Sequence, residues 1–339
     1  MSDFAPSGLL KNPHAQSILA STGLRKLRSY PRARAMLAAS KTVILDCGNG
    51  HQLLGEYAAQ PKRSKGLVTL IHGWEGSSQS TYMLSSGGAL YQAGYDIFRL
   101  NLRDHGPSHH LNRELFNSAR LDEVVGAIAA IHEIYPQPWQ FLAGFSLGGN
   151  FALRVAAKAT EADLDIKQTV AICPVVDPAK TMTALEQGWW VYEQYFVRKW
   201  QQSLRKKINL YPELGYQKSL FKLKTLRDMN SYFIPHHTPF SNVEDYFRAY
   251  SIAEEALSTL SSPAHIIAAQ DDPIILAEDF ARLANSEHLS IETKRYGGHC
   301  GFMKNYQLDS WLDGRLLELI NLRRYPSGDP AKLHTLASD

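Results

Sequence analysis

The sequence predicts an α/β fold, in which helices flank a mostly parallel, twisted sheet and a helical lid is inserted. From residue 66 onward, short apolar runs alternate with Ala- and Leu-rich stretches of helical length, a pattern typical of parallel sheets. At residues 175–258 this alternation stops, and a long aromatic segment with a helical pattern replaces it. The chain has 339 residues, of which 44% are hydrophobic, so it is long enough to bury one substantial core.

The elements can be predicted in order along the chain. Apolar, β-prone runs predict strands at residues 42–47, 53–59, 66–71, 95–101, 139–144, 167–173, 263–270 and 289–296. Helical patterns predict helices at 80–93, 119–135 and 147–158. We therefore divide the chain into an N-terminal arm (1–40), a first core part (41–174), a lid (175–258), a second core part (259–325) and a C-terminal tail (326–339). We expect the arm to anchor itself on the sheet or the lid, and the aromatic segment to cover a pocket. A second helical layer that buries its own aromatic residues is the alternative for that segment.

A Ser lies where a predicted strand meets a predicted helix, in the motif Gly144-x-Ser146-x-Gly148. A Ser at such a turn takes a strained backbone conformation that exposes its Oγ, and the crowding requires small neighbours. The following helix N-terminus favours negative charge, which suits a developing oxyanion. The motif predicts Ser146 as a nucleophile, with an ordinary turn and a helix-capping Ser as the alternative.

An acid and a His follow later in the chain, each just past a predicted strand. Asp271 and Asp272 end one strand, and His299 lies in a Gly-rich loop after the next. Active sites of open α/β sheets lie at that edge, and the order Ser, acid, His fits a nucleophile of this type. We predict that His299 is the general base, oriented by one of the two Asp residues. The alternative is that His299 is a plain loop residue.

Two backbone N–H groups are expected to bind the oxyanion. One belongs to Leu147, which follows the nucleophile, and the other should come from the loop after an earlier strand. The strand at 66–71 leads into His72-Gly73-Trp74, so we predict the N–H of Trp74 as the second donor. His-Gly also occurs in ordinary loops, and its position after the third predicted strand is what favours this interpretation.

Five segments of the chain resemble motifs of α/β-hydrolases. Within that group they resemble the YheT/EMB8-type (AB hydrolase 4) family, which includes the ABHD1–ABHD3 proteins. Residues 12–17 (Asn-Pro-His-Ala-Gln-Ser) resemble the family's Asn-Pro-His-x-Gln-Thr motif, and residues 72–77 resemble its His-Gly-x-x-Gly-Ser loop. Residues 144–150, 271–273 and 298–302 resemble its triad segments. The resemblance implies an α/β-hydrolase fold and a carboxylesterase, lipase or acyltransferase that acts on acyl esters.

The resemblance also bears on single positions. It favours Asp272 over Asp271 as the triad acid, because hydrolases of this fold often show Asp, one residue, then an aliphatic pair, as at residues 272–275. Asp271 remains the alternative acid, and could instead cap the loop backbone. Residues 104–105 depart from the pattern, because Asp-His stands where many relatives have Gly-Cys or Gly-Thr.

Composition excludes other classes of protein. A net charge of +3 is too small to indicate a nucleic-acid-binding protein. Three Cys residues favour a reducing, cytoplasmic location over a disulfide framework. No secretory leader and no apolar run of spanning length is evident. The basic stretch at 198–207 is expected to be a solvated helix face, with peripheral membrane contact as the alternative.

No cofactor or metal is predicted. The sequence has no Gly-rich phosphate-binding motif, and serine acyl transfer needs no organic cofactor. His105, His109 and His110 lie close together in the chain, but their spacing matches no zinc motif. We therefore interpret this histidine cluster as a loop near the mouth of the site.

The leading hypothesis is a serine esterase or lipase-like hydrolase that uses Ser146, Asp272 and His299. An acyltransferase that forms the same acyl-enzyme, and a non-catalytic ligand-binding protein on this fold, are the alternatives. The substrate partner is a small-molecule or lipid acyl ester. The sequence predicts neither its acyl-chain length and head group nor the oligomeric state of the protein.

Overall fold

The computed structural model describes residues 4–215 and 218–324. Its strands form one eight-stranded sheet in the order β1-β2-β4-β3-β5-β6-β7-β8. Their bounds are β1 Ser40–Asp46, β2 Gln52–Ala58, β3 Leu67–Ile71, β4 Asp96–Asn101, β5 Gln140–Phe145, β6 Gln168–Ile172, β7 Ala264–Ala269 and β8 Leu289–Lys294. β2 runs antiparallel to both its neighbours, β1 and β4, and every other neighbouring pair is parallel. The predicted mostly parallel sheet is confirmed.

Helices cover both faces of the sheet. Their bounds are α1 Pro13–Leu19, α2 Gly23–Ala39, α3 Thr81–Gln92, α4 Leu121–Ile134, α5 Leu147–Ala157, α6 Pro178–Gln187, α7 Trp190–Leu210, α8 Leu226–His237, α9 Val243–Tyr250 and α10 Trp311–Arg324. Buried side chains of α2, α3 and α10 form one hydrophobic cluster with the sheet, and those of α4 to α9 form another. Along β5, Phe141 and Ala143 contribute to the first cluster and Leu142 to the second. This alternation follows from the two-residue period of a strand that is buried on both faces.

The predicted elements agree with the structure to within about two residues at their ends, which is the usual uncertainty of helix and strand boundaries. The arm contains two helices, α1 and α2. The segment between β6 and β7 contains helices α6 to α9, in agreement with its helical pattern. The predicted C-terminal tail lies outside the described residues. Within the described ranges, no helix is both long enough and apolar enough to cross a membrane.

Candidate active site

Ser146 lies at the sharp turn between β5 and α5. Its backbone angles are φ 53° and ψ −120°, in a strained region that a non-Gly residue rarely adopts. The glycines on either side are required by close backbone contacts. A Cβ on Gly144 would collide with the carbonyl of Gly148, and a Cβ on Gly148 would collide with the carbonyls of Ile71 and His72. The two glycines thus permit the sharp turn at which Ser146 lies.

The structure brings Ser146, His299 and Asp272 together. His299 Nε2 lies 2.9 Å from Ser146 Oγ, and His299 Nδ1 lies 2.9 Å from Asp272 Oδ2. The other Asp272 oxygen accepts hydrogen bonds from the N–H groups of Ile274 and Ile275 at 2.9 and 3.0 Å. Burial lowers the pKa of His299, but the charge and hydrogen bond of Asp272 together with the neighbouring Cys300 outweigh burial and raise this pKa to about 9.

The two neighbouring Asp residues have different surroundings. Asp271 Oδ1 accepts the N–H of Gly298 at 2.8 Å, so this side chain supports the backbone of the His299 loop. Burial raises the pKa of Asp271. Asp272 is the acid that faces the imidazole, as the resemblance favoured. Asp271 instead caps the backbone of the His299 loop, which was the other role considered for it.

The N-terminal arm holds the loop of His299, a contact that the sequence analysis did not predict. Ser17 Oγ accepts the backbone N–H of His299 at 2.8 Å. Gln16 is fully buried, and its side chain binds both the N–H and the carbonyl of Met303. Asn12 caps the helix that carries both residues, through the N–H groups of His14 and Ala15. The motif at residues 12–17 was the available signal, but from the chain alone the arm was expected only to anchor itself on the sheet or the lid.

Both residues that carry the predicted oxyanion donors lie near Ser146: Leu147 follows it in the chain, and Trp74 lines the same two hollows. The N–H of Gly73 donates to Tyr82 Oη at 3.0 Å, and the N–H of Glu75 donates to His105 Nε2 at 3.0 Å. Trp74 lies between these two residues in the chain, and its N–H has no acceptor in the described part of the chain. The N–H of Leu147 has none there either. Two backbone donors are therefore available beside Ser146. Tyr82 and His105, which fix the neighbouring peptides, were not predicted.

Two hollows meet at Ser146, and we name them by their chemistry. The apolar cavity lies under the inserted helices, and its lining includes Met182, Leu185, Trp200, Leu226, Phe233 and Tyr246. The second hollow lies between the arm, the β3 loop and α7. Its surface is largely apolar, but it adds the charged and polar side chains of Ser17, Lys26, Glu75, Lys199, Gln202 and Lys206, for which we call it the polar cleft. Ser146 and Trp74 border both. The Trp74 ring stacks on that of Phe196, with centroids 5.0 Å apart.

The basic stretch of α7 is only partly a solvated helix face, which corrects the expectation from the sequence. Lys207 is fully buried, and its Nζ lies 2.8 Å from Asp104 Oδ1. It also donates to the carbonyls of His109 and Asn112. Arg198, in contrast, is exposed. One lysine of the stretch thus fixes α7 to the loop after β4.

The clustered histidines of that loop make separate hydrogen bonds. His105 contacts backbone groups of Arg103 and Glu75, and His109 Nε2 lies 2.8 Å from Ser203 Oγ. Within 4–215 and 218–324, no group of three or more His, Cys, Asp or Glu side chains could hold a metal ion.

Comparison with curated proteins gives low identities over long alignments. Phospholipase ABHD3 from Mus musculus is 21% identical over 246 residues, which are 70% of this chain and 58% of the relative. An abhydrolase domain-containing protein from Dictyostelium discoideum is 21% identical over 328 residues, with 94% and 80% coverage. The chain therefore spans less than two thirds of the ABHD3 protein that it matches.

Solved structures of similar fold include the Pyrococcus furiosus esterase Pf2001, with a TM-score of 0.55 and 17% identity over 84% of this chain and 91% of that one. A membrane phospholipase A, described as a bacterial virulence factor, has a TM-score of 0.56 and 16% identity over 92% and 96%. At such identities the likeness shows the fold alone. The family model for the alpha/beta hydrolase fold matches residues 66–306. The chain belongs to the α/β-hydrolase family.

Proposed function

We propose that this protein is a serine hydrolase that cleaves carboxylic esters. The observation that carries the proposal is the continuous line of contacts from Ser146 Oγ through both ring nitrogens of His299 to Asp272. The strained turn at Ser146 adds support, because it aims the hydroxyl at the imidazole before any substrate is bound.

Each residue has a distinct role in this mechanism. His299 Nε2 takes the hydroxyl proton while Ser146 Oγ attacks the ester carbonyl carbon, and the Asp272 carboxylate stabilises the charged imidazole. The N–H groups of Trp74 and Leu147 bind the negative oxygen of the tetrahedral intermediate. The intermediate collapses, the C–O bond to the alcohol breaks, and His299 returns the proton to that alcohol. Water then repeats the sequence on the acyl-enzyme and releases the acid.

The substrate is proposed to place its two ends in different hollows. The acyl chain enters the apolar cavity, because its transfer from water to an apolar environment is favourable. The alcohol part occupies the polar cleft, where Lys199 and Lys206 supply positive charge. Relatives named phospholipase make a glycerophospholipid the first natural ester to test.

Labelling with a fluorophosphonate tests the nucleophile. Intact-mass spectrometry of the wild type should show one adduct, which Ser146→Ala should lack. Ser290→Ala, on the distant strand β8, is the matched control and should label fully. A screen of nitrophenyl esters should then show hydrolysis that is lost with Ser146→Ala. Equal ester hydrolysis by the wild type and Ser146→Ala would refute the proposal.

A further inference from the structure

Two buried histidines bind the loop after β3 and the loop after β4 to each other. His72, in the first loop, accepts the N–H of Leu102 in the second at 3.1 Å. His105, in the second loop, accepts the N–H of Glu75 in the first at 3.0 Å. Their rings lie 4.9 Å apart. We call this reciprocal arrangement the histidine clasp.

The other ring nitrogen of each histidine determines its tautomer. His72 Nδ1 lies 2.7 Å from the carbonyl of Gly73, and His105 Nδ1 lies 2.7 Å from the carbonyl of Arg103. A carbonyl oxygen only accepts, so Nδ1 carries the proton and Nε2 is left to accept a backbone N–H. Burial lowers the pKa of His72 to about 3 and that of His105 to about 4, which keeps both rings neutral in the form that the clasp needs.

The clasp acts on the peptide next to a proposed oxyanion donor. Glu75 has a φ of 56°, in the left-handed region that a non-Gly residue adopts only when its surroundings hold it there. Its N–H bond to His105 is one such restraint, and the Gly73 N–H bond to Tyr82 fixes the other side of Trp74. Both neighbours of Trp74 are therefore fixed, while its own N–H stays available beside Ser146.

We propose that His105 is a positioning residue for the oxyanion hole: it holds the Glu75 peptide and thereby aims the Trp74 N–H at the substrate oxygen. The inference rests on the proposed function, because an oxyanion forms only if Ser146 attacks a carbonyl. It gives a physical role to one of the positions where this sequence departs from the pattern that it resembles. The hydrogen bond matters most in the transition state, since the oxygen becomes negatively charged only there.

His105→Leu, which removes the acceptor, should lower kcat about 10- to 100-fold with little change in KM. Complete loss of one donor costs about 10²- to 10³-fold, and a displaced donor should cost less. Rates are normalised to the active sites that a fluorophosphonate titrates, which removes any contribution of unfolded protein. His105→Gln places an amide oxygen near the position of Nε2 and should restore most of kcat.

His265→Leu is the matched control. This histidine lies on β7 and bonds Ser290 and Glu292 instead of the oxyanion loop, so its loss should leave kcat per titrated site close to that of the wild type. If His105→Leu keeps kcat within about twofold, or if His265→Leu lowers it equally, the positioning role is wrong.

A second measurement does not depend on a variant that folds. Nitrogen-15 spectra of the wild type should show His105 neutral, with its proton on Nδ1, at pH 6. A proton on Nε2, or a charged ring, would overturn the proposal. This spectrum does not depend on ester hydrolysis, so an unexpected result would overturn only the role of His105. The proposed function fails separately, if Ser146→Ala keeps its activity.

Discussion

The apolar cavity and the polar cleft share Ser146 but are built in different ways. Most of the cavity wall comes from the inserted segment, and Met182, Leu185 and Phe233 belong to one hydrophobic cluster that continues into the sheet. The wall of the cleft on α7 is held by a buried ion pair between Lys207 and Asp104. Hydrophobic packing is non-directional, whereas an ion pair fixes one particular geometry.

With an ester placed as proposed, the two walls act on its two ends by different forces. An apolar wall favours a longer chain by the area that it buries, and a charged wall favours a partner of opposite charge. Because most residues of the two walls differ, substitutions at the unshared positions should change the preference for each end separately.

The largest effect is expected at the shared centre. Asp272→Asn should lower kcat by about 10⁴-fold, because the amide favours the wrong tautomer of His299. Asp271→Asn should cost far less, since that side chain contacts the Gly298 N–H and not the imidazole. Steady-state kinetics on one nitrophenyl ester measure both variants. Equal losses in the two would remove the distinction between these acids.

The pH profile tests the same centre. His299 must be neutral to act as a base, and its pKa is raised to about 9. Hence kcat/KM should rise about tenfold per pH unit below pH 9 and level off above it. The raised pKa also stabilises the fold most below the unfolded value near 6.5, and this contribution is lost as the pH rises through 9. A profile that is flat from pH 7 to 10 would contradict this prediction.

These two tests address the part of the site that the chain itself predicted best. The turn around Ser146 is local, because Gly144 and Gly148 lie two residues away on either side, so sequence was enough to predict it. The choice between Asp271 and Asp272 depended on which carboxylate faces His299, some 27 residues away, and residues alone left it open. The bond from His299 to Ser17 joins positions 282 apart, and no periodicity predicts such a contact. The charge difference between the hollows likewise needs the fold, since it arises from side chains on separate elements.

The next largest effect concerns the ion pair that holds the cleft wall. Lys207→Met leaves Asp104 buried without its partner and should lower the free energy of unfolding by about 3–5 kcal/mol. Urea denaturation at pH 7 measures this loss. The double variant Lys207→Met, Asp104→Asn should recover much of the stability, because it leaves no unpaired charge in the interior. Asn also tolerates the positive φ of 58° at that position. If the single variant unfolds like the wild type, the pair does not hold the wall.

The apolar wall should control acyl-chain length. Leu185→Trp fills part of the cavity and should lower kcat/KM for long-chain esters by about fourfold for each methylene that no longer fits, from about 0.8 kcal/mol per CH₂. Esters with short acyl chains should be unaffected. Gln202→Trp, on the cleft side of α7, is the matched control and should change the preference for bulky alcohols instead. Equal effects of both variants on chain length would contradict the assignment of the acyl chain to the cavity.

The smallest effect is expected from the charges of the polar cleft. Lys199→Ala and Lys206→Ala should each raise KM about 1.4- to fivefold for esters with an anionic alcohol part, as exposed charge pairs contribute about 0.2–1 kcal/mol. Neutral esters with the same acyl chain should show no change, and added salt should reduce the difference. Arg198→Ala is the control, since this exposed residue is not part of the cleft lining.

Glu75 gives the same comparison a pH dependence. Burial raises the pKa of Glu75 to about 8, although Lys199 and Lys206 oppose the shift. Ionisation above pH 8 adds a negative charge to the cleft, so KM for an anionic ester should rise there a few-fold more than KM for its neutral counterpart. Glu75→Gln should abolish this difference while keeping the backbone N–H that His105 accepts. A ratio of the two KM values that does not change between pH 7 and 9 would mean that the alcohol part does not bind near this carboxyl, and the division of the ester between the two hollows would have to be reversed.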